Sequence, residues 1–254
     1  SNDNQLLIVF SDISKLKTLE KMREDFIGNV SHELRTPISV IKANSETLLS
    51  TKLIKDENAI NFTKAIQSQS ERMATIVNEL LSISSMESGD YPISLDKLNI
   101  KNIVDSAIKE LNPMTESSNI KLVNKISDIT HIIGDESAIK IIISNYITNA
   151  IKHSPDDEII EIDNEKIDKD FCRIKVIDNG IGIAKKYRER VFERFFRVDK
   201  GRSKKIGGTG LGLSISKNLA LMMGYSVGVE SNEPKGSIFY IDVKIHQETS
   251  KEVA

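Results

Sequence analysis

Tryptophan is absent from the 254 residues, cysteine occurs once and proline five times. A single thiol, Cys172, excludes an intrachain disulfide and a cysteine-ligated metal cluster. It stands in the apolar run FCRIKVI, the setting of a small core residue in a reducing compartment. No apolar run approaches the ~20 residues that a helix needs to span a bilayer. No secretory leader is legible at the start. A basic excess is missing too, since the formal net charge is -2, and this argues against a nucleic-acid partner. Glycine and proline are too few for a low-complexity chain. The length suits one large domain or two smaller ones.

What is present begins with LLIVF at 6–10, a β-branched and aromatic run that reads as a strand. Cut off at its upstream side, it is expected to close a domain that precedes this chain in a longer protein. From about Ser14 the period becomes helical. Ile27, Leu34, Ile41 and Leu48 recur at seven-residue steps, with Phe26, Val30 and Ile38 beside them. That seam is narrow, as in a bundle or coiled coil. STKLIKDEN breaks it. A second helix then carries Phe62, Ile66, Gln69, Met73, Ile76, Leu80 and Ile83 at steps of three and four. One hairpin cannot bury both seams well, so two hairpins in a homodimeric four-helix bundle are the economical solution. SGDYP, at 88–92, closes this part with turn residues. Beyond it short apolar runs alternate with helical stretches, including one near 184–194 and one near 210–223, as in an α/β domain.

Within that second part DNGIGI (178–183) follows a strand, and GGTGLGL (207–213) leads into a helix. Glycine-rich loops let backbone N–H groups approach phosphate oxygens, and a helix N-terminus favours the same anion. Neither stretch is a Walker loop or a Rossmann fingerprint. The helix NYITNAIKHS, with Asp135 as the N-cap of its element, sets Asn145, Asn149 and Lys152 within about 60° of one another. Two amides and an ammonium on one face suit Mg²⁺ and phosphate. Taken alone, the segment reads better as a solvated polar face.

In FIGNVSHELRTPISVIK (26–42), His32 lies about 140° around the helix from Ile27, and Thr36 about 180°. Both therefore face away from the seam. Pro37 removes one backbone N–H and crowds the carbonyl of Glu33, which marks a bend site. His131 and His246 sit at strands without clustered cysteine or carboxylate, so no zinc site is expected.

The ordered set NYITNAIKHS, DNGIGI, FERFFR and GGTGLGL resembles the N, G1, F and G2 boxes of the sensor histidine kinase ATP-binding domain, one of the Bergerat-fold ATPases shared with gyrase, Hsp90 and MutL-like proteins. SHELRTP resembles the H box of the same kinases. The likeness covers roughly residues 14–246. It implies a helical hairpin forming a dimeric four-helix bundle, followed by an α/β-sandwich ATP-binding domain. It also implies ATP and Mg²⁺ as cofactors. By position, Asp178 would accept from the adenine amino group, and Gly180 and Gly182 would let the chain pass close to the base. Asn149 would be the first choice for Mg²⁺, supported by Asn145, and Lys152 would meet phosphate. His153 would touch ribose or phosphate, or cap a surface. Gly208, Thr209, Gly210, Leu211 and Gly212 would form the phosphate end of a lid, with Phe192, Phe195 and Phe196 packed at its base. Arg197 would reach phosphate or solvent. The stretch VDKGRSKKIGG, poor in apolar anchors, is expected to order around nucleotide.

The same resemblance makes His32 the phosphoacceptor. Attack on the γ-phosphoryl group needs a neutral imidazole, the form an unperturbed histidine mostly holds near neutral pH. Glu33 could take the proton from the other ring nitrogen. Thr36 is implied in positioning water when such a kinase dephosphorylates its partner. The implied organisation is 1–14 as the end of a PAS-like domain and linker, 15–90 for dimerisation and phosphotransfer, 91–246 for ATP, and 247–254 as a polar tail. The implied protein is the cytoplasmic core of a sensor kinase, with or without a membrane anchor elsewhere. It would pass phosphate to a response regulator's aspartate and remove it again. Two rivals stand beside this reading: a Bergerat-fold ATPase using ATP for conformational work, and a scaffold that binds nucleotide and partner without catalysis.

Overall fold

The computed structural model describes residues 13–50, 56–116, 118–127, 131–198 and 208–247. The expected strand at 6–10, the connection at 51–55, the basic loop at 199–207 and most of the polar tail lie outside them. The chain divides into two compact units, and the boundary falls inside the second helix, between Ile76 and Val77.

The first unit is built on α1 (Ser14–Ser50) and the first half of α2 (Asp56–Ser88). Leu34, Ile41 and Leu48 are half-buried, as the seven-residue seam requires. Ile27 and Ile38 are not covered by the hairpin: they are 54% and 49% exposed, and Ile60 of α2 is 52% exposed. α1 continues through Pro37, which is buried. Hydroxyls along the helix return to carbonyls one turn back. Among them Thr36 donates to the His32 carbonyl at 3.4 Å.

α2 ends where the turn residues predict. Gly89 takes φ 81°, the left-handed conformation that glycine allows after a helix, and Asp90 N–H returns to the Ser85 carbonyl at 3.0 Å. The second unit continues with β1 (Asp96–Asn99), α3 (Ile100–Leu111), β2 (Lys121–Asn124), β3 (His131–Gly134) and α4 (Glu136–His153). Then come β4 (Ile159–Lys166), β5 (Phe171–Asp178), α5 (Gly212–Met222), β6 (Ser226–Ser231) and β7 (Ser237–Lys244). The main sheet has the order β2-β4-β5-β7-β6, with only β2 and β4 parallel, and β1 pairs with β3 in a separate antiparallel ribbon. Burial alternates along β5 and β7 with the strand period of two. Cys172, Ile174 and Val176 on β5, and Phe239, Ile241 and Val243 on β7, turn to the helices. α3 brings Ile103, Val104 and Ala107, α4 brings Ile139, Ile142, Ile143 and Ile147, and α5 brings Ile215 and Leu219 to the same core. This is the helical hairpin followed by an α/β sandwich that the sequence implies.

The expected helix near 184–194 is instead two 3₁₀ turns, Lys185–Tyr187 and Arg190–Phe192. Tertiary contacts override the local helix preference there. Val191 and Phe192 are buried, Phe192 meets Phe239 edge-on with centroids 6.5 Å apart, and Phe195 bends the chain at φ 59°.

Candidate functional site

The period of β5 carries its buried face one residue past Val176, to Asp178. A carboxylate thus closes an apolar row, and it is 3% exposed. Gly180 N–H and Ser237 N–H donate to its Oδ1 at 2.8 and 3.1 Å. Burial raises its pKa above the ordinary carboxylate value, and the two N–H groups pull the other way. Asn232 ties the turn from behind, its amide donating to the Asp178 carbonyl at 2.9 Å and to Asn179 Oδ1 at 3.0 Å. Neither Asn232 nor Ser237 carried a signal in the sequence, because β7 and the turn before it reach Asp178 only once β7 pairs with β5.

Gly180 has no room for a side chain. A Cβ there would stand 2.5 Å from the His153 carbonyl oxygen. That carbonyl also accepts from Ile181 N–H at 3.3 Å, so the end of α4 is fastened to the glycine turn by backbone. His153 is exposed, yet the protein around its ring, and then the charges of Lys152 and Arg197, lower its pKa. The sequence's candidate cations are therefore gathered at this end of α4.

The second glycine loop returns here. Gly208 and Gly210 take φ 127° and 75°. Lys152 Nζ lies 3.8 Å from where a Cβ on Gly208 would stand. Gly210 accepts from Phe195 N–H at 2.8 Å, which seats the loop on the aromatic segment. Thr209 Oγ1 accepts from Leu211 N–H at 3.2 Å. No side-chain cap hydrogen bond is made at the start of α5, and a helix N-terminus of this kind can accept an anion.

One expectation changes: the Leu211 side chain, placed among the nucleotide contacts, is fully buried and belongs to the core. Asn145 uses its amide nitrogen within the fold, donating to the Gly212 carbonyl at 3.0 Å and to Ser216 Oγ at 3.1 Å, and so ties α4 to α5. The half-buried Asn149 stands one turn on.

On α1, His32 and Thr36 are exposed, as their angular positions require. Glu33 is half-buried and turns to the opposite helix, where Arg72 Nη2 donates to its Oε2 at 3.0 Å. Arg72 is a residue that sequence reading missed. Only the packing of α2 on α1 brings it beside the histidine's neighbour.

Residues 134–247 match the family described as histidine kinase-, DNA gyrase B-, and HSP90-like ATPase. Residues 22–89 match the His Kinase A phospho-acceptor domain. The sensor-like histidine kinase SenX3 of Mycolicibacterium smegmatis is 34% identical over 244 residues, covering 95% of this chain and 63% of that protein. Sensor histidine kinase WalK of Bacillus subtilis is 34% identical over 250 residues, covering 96% and 40%. The chain thus spans only part of the length of these relatives. Among solved structures, full-length ShkA in complex with AMPPNP superposes with TM-score 0.66 at 25% identity, over 89% of this chain and 47% of that one. Histidine kinase ThkA, solved in complex with the response regulator protein TrrA, superposes with TM-score 0.69 at 21% identity, over 93% and 68%.

Proposed function

This chain belongs to the sensor histidine kinases, and we propose that it is the catalytic portion of one: it phosphorylates His32 from ATP and passes the phosphoryl group to an aspartate of a response regulator. The observation that carries the reading is the cradle at the end of β5. There a buried carboxylate backed by N–H groups, a glycine turn with no space for a Cβ, and a lysine beside a second glycine loop are held by one fold. Asp178 presents an acceptor to the adenine amino group, Gly180 and Gly182 keep the base close to the backbone, and Lys152 with residues 208–212 takes the phosphates. Asn149 is the amide that would hold Mg²⁺, which when bound offsets the charge of the triphosphate.

His32 supplies the nucleophile. As the N–P bond forms, the bond from the γ-phosphorus to the bridging oxygen breaks and ADP leaves, and the other ring nitrogen releases its proton toward Glu33, whose carboxylate Arg72 keeps against α2. Thr36 is one turn away on the same exposed face and serves the reverse reaction, orienting water at the regulator's phosphoaspartate. The exposed Ile27, Ile38 and Ile60 favour a second copy of the hairpin across a four-helix bundle. The reading assigns 15–90 to dimerisation and phosphotransfer and 91–246 to ATP. It places both in the cytoplasm as part of a longer sensor.

Mixed dimers test this directly. One copy carries His32→Ala and the other Asn149→Ala, and both are incubated with γ-labelled ATP. Acid-labile label on the Asn149→Ala copy alone means transfer across the dimer. Label retained by His32→Ala homodimers, or no label on any wild-type chain, overturns the proposal.

A further inference from the structure

The last turns of α2, from Val77 onward, fold with the second unit. Ile83 is 1% exposed inside that unit's core, with Leu80 and Met86 packed beside it. Glu87 pairs with Arg194, just ahead of the aromatic segment that seats the glycine loop. One turn before Ile83, Glu79 hydrogen-bonds Thr209 and lies in the field of Lys152. Its Oε2 is buried and has no hydrogen-bond partner. An α2 carboxylate therefore sits among the groups assigned to phosphate.

Stability does not account for this placement. A buried carboxylate with one oxygen unsatisfied is a cost to the fold. Burial holds the Glu79 carboxyl above its ordinary pKa, against the pull of Thr209 and Lys152. The arrangement makes chemical sense if another anion exchanges with it. A carboxylate and a terminal phosphate ask for the same donors, a hydroxyl and an ammonium, and each repels the other.

We propose that Glu79 and the terminal phosphate of a nucleoside triphosphate compete for Thr209 and Lys152, so that binding the triphosphate expels Glu79 and loosens its turn of α2. The inference rests on reading Lys152 and residues 208–212 as the phosphate end of the nucleotide site. A diphosphate, which lacks the competing group, leaves Glu79 in place. Nucleotide state is thereby reported to α2 through one acid.

Calorimetric titration of the full chain and of Glu79→Gln with Mg-ATP and Mg-ADP tests the competition. Glutamine keeps the shape and removes the charge. ATP should bind roughly fivefold tighter to Glu79→Gln, about one hydrogen bond's worth, while ADP changes by less than about twofold. Unchanged or weakened ATP binding overturns the proposal, and weakening would instead make Glu79 a ligand of the Mg-nucleotide. Lys152→Ala separates the two levels. If it leaves ATP affinity unchanged, the phosphate site itself is misassigned. If it weakens ATP while Glu79→Gln has no effect, only the competition fails. A second measurement needs no substitution: amide exchange across 77–88 should quicken with ATP and not with ADP, and equal exchange in both overturns the coupling.

Discussion

Arg72 Nη2 donates to Glu33 Oε2 at 3.0 Å, joining residues 39 positions apart and pinning the acid beside His32 to the opposite helix. Both side chains are about one-quarter to one-third exposed, so the ion pair adds little to stability, less than ~1 kcal/mol. Its value lies in position. Glu33→Gln should slow His32 phosphorylation about a hundredfold, the usual scale for a lost general base. Arg72→Ala should slow it about tenfold, and Arg72→Lys less. The double variant should be no slower than Glu33→Gln alone, because Arg72 acts through Glu33. Initial rates of phosphohistidine formation, with ATP affinity and thermal unfolding as controls, decide it. Additive losses would remove the link.

Asp178 separates binding from stability. Its carboxyl titrates above the ordinary range because it is buried. The folded chain therefore takes up this proton at a higher pH than the unfolded chain, so the charge costs stability at neutral pH and costs less as pH falls through the raised value. Asp178→Asn keeps an oxygen for Gly180 and Ser237 N–H and removes the charge. Its melting temperature without nucleotide should equal or exceed that of the wild type, while ATP affinity falls more than about tenfold. Wild-type affinity should also decline as pH drops toward the raised value, and the Asn variant should not follow. A variant that melts lower and still binds ATP would contradict the assignment.

How much of this was written in the sequence depends on the reach of each interaction. The strand and helix periods announced α1, α2, α4, α5 and most of the sheet, and they placed His32 and Thr36 outward. The glycine boxes announced Asp178 and Gly180. What stayed hidden was whatever depends on a partner far along the chain. Arg72 meets Glu33 across the hairpin, Asn232 meets Asp178 across β5 and β7, and Glu79 meets Thr209 from the end of α2. The same holds for Asn145: its face was legible, the hydrogen bonds its nitrogen makes to Gly212 and Ser216 were not. The missing helix at 184–194 shows local preference yielding to the burial of Val191 and Phe192.

Glycine positions offer a test of the cradle's tightness. Gly180→Ala would drive a Cβ to 2.5 Å from a backbone oxygen and 2.8 Å from Asp178 Oδ1. Gly210→Ala would meet Phe195 Cα at 2.9 Å with φ at 75°. Neither obstacle is a flexible side chain. Each should cost at least ~2 kcal/mol in denaturant unfolding and lower ATP affinity with it. Gly28→Ala, with nothing within 4 Å and a place inside α1, should instead gain about 0.5–1 kcal/mol.

The two amides of α4 should part company under substitution. Asn145→Ala removes the tie to Gly212 and Ser216, and should lower stability by about 1–2 kcal/mol with ATP affinity following through α5. Asn149→Ala should leave melting nearly unchanged and abolish the dependence of ATP affinity on Mg²⁺. Thermal unfolding paired with Mg²⁺ titrations at fixed ATP distinguishes them. Mg²⁺ dependence lost in Asn145→Ala and kept in Asn149→Ala would exchange the roles.

Pro37 is buried within an unbroken α1, one turn beyond Glu33. A proline inside a helix leaves the carbonyl four residues back, that of Glu33, without its helical donor and crowds it, at a cost of ~3 kcal/mol or more. A fold selected for stability alone would hold alanine there. The ring's burial offsets part of the cost, and the remainder falls on the turn beside His32. Pro37→Ala returns the donor to Glu33 and stiffens this turn, so the hairpin should melt higher. On the proposed reading the first reaction runs on His32 and the reverse one on Thr36, so the balance between phosphorylating His32 and dephosphorylating the regulator should change with it. Both activities are measured on one preparation, and a stiffer helix with an unaltered ratio would separate the bend from the switch.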